Sequence, residues 1–77
     1  MNTIDINQPI AEIIDQHPEL LETFIDLGFK PIANNAMRES VGRIISLKNG
    51  ATMIGLPVDK LIQTLKWNGY EIIWEEE

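Results

Sequence analysis

The residues best placed for chemistry lie in one stretch, GFKPIANNAMRES, from Gly28 to Ser40. Lys30 and Arg38 bracket it, Asn34 and Asn35 stand just ahead of a helical pattern, and Arg43 follows. A guanidinium can hold a carboxylate or phosphate through two parallel hydrogen bonds, and a helix N-terminus offers its first backbone N–H groups to an anion. Lys30, Asn34, Asn35, Arg38 and Arg43 therefore form a candidate binding site for a protein partner or a small acidic ligand, with Arg38 the first choice among them. A plainer reading needs no ligand: an asparagine caps the helix, Pro31 stiffens the turn, and the charges stay in water.

Other groups offer less. His17 is the single histidine, and beside Asp15 and Glu19 it could act as a base or a weak metal ligand. Its place before Pro18 suits a helix boundary better. The chain has no cysteine, which removes thiolate nucleophiles, disulfides and thiolate-ligated metals. No spacing supports a Ser/His/Asp set, a phosphate-binding glycine loop, a metal triad or an acid/base pair. The expectation is a non-catalytic protein with no metal and no cofactor.

The elements that carry the loop can be read from its flanks. Residues 1–29 hold six acids and no Lys or Arg, whereas all six basic residues fall in 30–70, against only Glu39 and Asp59. A net charge of −6 thus conceals a basic middle of +4, which either faces the acidic blocks or presents a basic surface. TIDI alternates with period two and reads as an extended arm, with Asn7 as N-cap and Pro9 at the first turn of a helix over PIAEIIDQH. Pro18 ends that helix and opens a second, PELLETFIDLG, closed by Gly28. Met37, Val41, Ile44 and Ile45 recur at helical spacing, predicting a helix from about Ala36 to Ile45 capped by Asn34 or Asn35. Ser46 caps the next segment, and Pro57 begins a last helix with Val58, Leu61, Ile62 and Leu65 on its apolar face. YEIIW alternates and could pair with Ile4 and Ile6. The predicted fold is mainly all-α: one domain over 1–77, a compact bundle of about five short helices with a minor two-stranded pairing of the termini. The opening residues hold no basic segment followed by an apolar run, and nothing approaches a membrane span, so a cytoplasmic protein is expected.

Taken together, IAEIIDQHPELLETFIDLGF, a loop, and LKNGATMIGLPVDKLIQTL resemble a family of small bacterial helical domains of unknown function, numbered 1858. One branch of that family, associated with hybrid-cluster proteins, is described as a redox-disulfide domain and carries two cysteines after the glycine that ends its second helix. Here that region reads FKPIANNA, so a redox role does not transfer. The LGF, Pro, Asn and MR pattern instead looks like the cysteine-free branch found with hemerythrin-like and PAS-type sensory domains. The resemblance implies a fold and a sensory or regulatory context without a mechanism.

Two further surfaces enter the reading. Residues 47–66 place Ala51, Gly55 and Leu61 at helix-turn-helix separations, which makes a nucleic-acid-binding domain the alternative function. That signal is weak, because Gly50 and Thr64 stand where apolar residues would seat the helices and the net charge opposes phosphate. Trp67 falls opposite the apolar face of the last helix and, with Tyr70 or Trp74, could form a partner or homodimer patch. Alternatively the C-terminal strand covers it. The functional expectation is a protein-interaction or sensory-accessory module that uses the basic loop 30–43.

Overall fold

Period-two alternation at the N-terminus and 3.6-residue periodicity after it give a strand followed by helices. The computed structural model describes residues 2–73. Strand β1 (Thr3–Asp5) is followed by α1 (Ile10–Gln16), α2 (Leu20–Leu27), a 3-10 helix (Lys30–Ala33), α3 (Asn35–Ile44), α4 (Leu47–Met53), α5 (Val58–Trp67) and β2 (Glu71–Ile73). The fold is therefore five short helices with a small sheet, as the sequence pattern predicts. Among the described residues no helix is long and apolar enough to cross a membrane.

β1 pairs with β2 in parallel, with Ile4 opposite Ile72. A two-stranded ribbon has little stability alone. Here Ile4 and the following Ile6 are buried in the core, so the arm is held by its side chains as much as by its ladder. Trp74, grouped with Tyr70 and Ile72 by the sequence pattern, lies outside the described residues.

Helix boundaries follow local chemistry. The N–H of His17 donates to the Ile13 carbonyl at 2.8 Å and ends α1, and Pro18 then lets the chain turn into α2. Gly28, at φ 122, closes α2 in a conformation that a Cβ disfavours. Asn7 does not cap α1 as the sequence suggested. Its N–H donates to Asp5 Oδ1 at 2.9 Å within a turn that ends β1, and Pro9 holds the helix-start position without a side-chain cap. Ser46 does cap α4, its hydroxyl accepting the Asn49 N–H at 3.1 Å.

The core gathers Ile4, Ile6, Ile13, Leu20, Phe24, Leu47, Leu61 and Leu65 as its largest fully buried side chains. Each such burial contributes about 1.5–3 kcal/mol. α3 is the exception, since Gly42 is its sole buried residue. It meets α1 at that glycine, where a Cβ would stand 3.4 Å from Ala11 Cβ. Its junction with α4 is stitched to the segment after β1: Ile10 N–H donates to Ile45 O at 3.1 Å, Leu47 N–H to Gln8 O at 3.0 Å, and Lys48 N–H to Ile6 O at 2.9 Å.

Candidate functional site

Asn34 is extended, and its Oδ1 accepts the Met37 N–H at 3.1 Å, so it caps α3. Asn35 begins the helix, and its Oδ1 accepts Arg38 Nη2 at 2.9 Å. The same guanidinium donates through Nη1 to the Ile32 carbonyl at 2.7 Å. Arg38 therefore folds back from α3 onto the 3-10 helix and fixes one against the other. These two bonds leave guanidinium N–H groups over, since arginine has five.

Arg43 points elsewhere. Its Nη1 donates to Asp15 Oδ2 at 2.7 Å and its Nη2 to Glu39 Oε1 at 2.9 Å. Asp15 first, and then Glu39, raise its pKa above the ordinary arginine value. Exposed pairs of this kind add little stability individually, but the bond to Asp15 joins α3 to α1. Lys30 is exposed, and its ammonium has no hydrogen bond or ion pair with another described residue. The five residues are thus not one anion cradle. Asn35 and Arg38 are in contact, Asn34 serves the helix, Lys30 stands at the start of the 3-10 helix, and Arg43 faces α1.

What lies between the 3-10 helix, α3 and α4 is apolar. A cleft of about 120 Å³ opens there, walled chiefly by Phe29, Pro31, Ile32, Val41, Ile45 and Met53, with Gly42 and Gly50 contributing to it. Beside it α3 turns outward the stripe that marked it as a helix: Met37 and Val41 are 41% exposed and Ile44 is 82% exposed. Met53, 70% exposed, continues the apolar surface on α4. Periodicity detects such a stripe without saying whether it faces the core or the solvent. The usable signal is Gly42, which at 100° per residue lies about 140° round the helix from Met37 and marks the side of close approach.

The remaining candidates separate. Tyr70 is buried, unlike the exposed patch residue the sequence suggested, and its hydroxyl donates to the Glu19 carboxylate. Burial, aided by that bond, pushes its pKa up to about 12, and the same bond is the main cause holding Glu19 below its ordinary value. The His17 ring stands edge-on to Tyr70 at 5.2 Å, with Nδ1 3.6 Å from Glu19 Oε2. His17 thus packs at the α1–α2 corner. Among the described residues no group of three or more His, Asp or Glu could hold a metal ion. Trp67 is 77% exposed, so no described strand covers it.

The α4–α5 pair has a turn at Gly55, φ 77, with Ala51 and Leu61 fully buried. Gly50, which reads as a missing seating residue, is instead where Ile10 and Phe29 press on the backbone of α4: a Cβ would meet them at 2.9 and 3.1 Å.

Residues 4–62 match the family model described as "Domain of unknown function (DUF1858)". Among solved structures, the chain is similar to "the conserved domain protein from Streptococcus pneumoniae TIGR4", 51% identical, with a TM-score of 0.94 over 99% of this chain and 96% of that one. No curated protein gives a match.

Proposed function

The chain belongs to the DUF1858 family of unknown function, and on that footing we propose that it is a non-catalytic protein-interaction module of the sensory-accessory kind. The surface that serves it is the 3-10 helix and α3, residues 30–44. One observation carries this reading: α3 turns Met37, Val41 and Ile44 to solvent beside an apolar cleft, while contacting α1 through a glycine. An amphipathic helix whose apolar stripe is unpartnered gains from covering that stripe. The cleft argues for a side chain of a partner protein over a free ligand, since small-molecule sites commonly measure roughly 300–1,000 Å³. Methionines at its edge suit a surface that adapts to its partner. Support for the nucleic-acid alternative is thinner, because the exposed positions of α5 set Lys60 and Lys66 against Asp59 on a chain of net charge −6.

Affinity capture from the native extract, followed by reconstitution with the purified captured protein, tests the reading. Val41→Ser and Ile44→Ser should each weaken the reconstituted complex at least about tenfold, whereas Trp67→Ser should not. A complex indifferent to both α3 variants would remove this surface from consideration.

A further inference from the structure

We propose that the occupant of the α3 surface is an acidic amphipathic helix. This deepens the docking reading and rests on it. The surface is the face of a helix with a groove alongside, and helices pack on such faces ridge into groove. The exposed stripe runs from Met37 to Ile44, seven residues or about 10.5 Å of axis, which is two turns of a partner carrying apolar anchors at i, i+3 or i+4, and i+7. Among the described residues only β1 and β2 are strands that could accept an added strand, and neither belongs to this surface.

Charge selects among such helices. Between Gly28 and Val58 stand Lys30, Arg38, Arg43 and Lys48 against Glu39, and Asp15 of α1 also pairs with Arg43, which leaves a local net of +2 in a chain of −6. Glu39 is held by Arg43. No acidic residue lines the cleft. At its margin Lys30 lies between the lining residues Phe29 and Pro31, and the Arg38 guanidinium sits on the carbonyl of the lining residue Ile32 with N–H groups over. A helix with carboxylates beside its apolar stripe would meet both cations, and one with lysines would meet them unfavourably. The whole-molecule charge predicts the opposite preference, which makes the local argument decisive to test.

The probes are two 18-residue helical peptides with one identical leucine stripe, their polar faces built from glutamate or from lysine. Binding to the full chain is followed by fluorescence anisotropy of the labelled peptide at low and at high salt. The glutamate peptide should bind roughly tenfold or more tightly than the lysine peptide at low salt, the gap should shrink as salt rises, and Lys30→Glu should narrow it. Ile44→Ser should weaken both. Equal binding of the two peptides, both lost in Ile44→Ser, would overturn the acidic-helix proposal and leave the docking surface standing. Binding of neither, or binding indifferent to Ile44→Ser, would overturn both. Self-association that Ile44→Ser abolishes, seen by sedimentation without peptide, would make the occupant a second copy and also overturn the proposal.

Discussion

Replacing Gly50 by alanine tests how closely α4 is held against the rest of the molecule, and Gly42→Ala supplies its control. Both glycines lie inside helices, so each substitution gains about 1 kcal/mol of helix propensity. They differ in what the added methyl meets. At Gly42 the nearest atom is Ala11 Cβ at 3.4 Å, an ordinary contact. At Gly50 the methyl meets Ile10 Cδ1 at 2.9 Å and Phe29 Cε1 at 3.1 Å, both from side chains no more than 4% exposed. Overpacking of that degree costs about 1–3 kcal/mol. Gly42→Ala should therefore be more stable by about 1 kcal/mol, and Gly50→Ala between unchanged and about 2 kcal/mol less stable. Unfolding entropy scales with length, so for this chain about 1 kcal/mol corresponds to about 6 °C in Tm. The two melting temperatures should separate by roughly 6–18 °C in paired thermal melts. A Gly50→Ala protein that melts with Gly42→Ala would refute the reasoning, because α4 would then not be seated at contact distance on Ile10 and Phe29.

Removing the caps should act at the start of α3 and at the start of α4: Asn34→Ala and Ser46→Ala should each lose about 1 kcal/mol in urea unfolding, with Asn34→Asp close to wild type. Tyr70 is the only tyrosine, so tyrosinate absorbance reads it directly, and its midpoint should lie near about 12 instead of 10.0. Because that pKa is raised on folding, the stability it brings is complete below 10.0 and lost as pH rises toward about 12. Glu19 runs the other way: its lowered pKa brings stability present above its ordinary 4.5 and lost as pH falls through the folded value. Tyr70→Phe should flatten both edges of a plot of urea midpoint against pH. Ile44→Ser should change stability by less than about 0.5 kcal/mol, as expected of a residue 82% exposed.

Much of the architecture is legible in the chain because its punctuation is strong. Pro18, Gly28, Ser46, Pro57 and Gly69 each limit what the backbone can do, and the helices begin or end beside them. Asn7 has the type of a cap but serves a turn, because a short polar residue suits either, and Asp5 accepts its N–H. The local structure of the candidate loop was legible in part: Asn34 is the cap that the plainer reading offered. The partners of Arg43 and Tyr70 were not legible, since Asp15 and Glu19 reach them across 28 and 51 positions of sequence. Nor does periodicity reveal that the α3 stripe faces outward. That depends on where α1 and α4 stand, and three-dimensional neighbours leave no mark in the local pattern of one helix.

The parallel pairing of β1 with β2 has a consequence for how the protein forms. Thr3 meets Glu71, so all five helices between them must be synthesised before β1 finds its ladder partner. Contacts of such long sequence separation carry the largest loop-closure entropy and tend to form late. The helices between them can begin to pack while Ile4 and Ile6 lie against an unfinished core. During synthesis β1 would wait longest for its ladder partner, and until then its alternating isoleucines are open to mispairing.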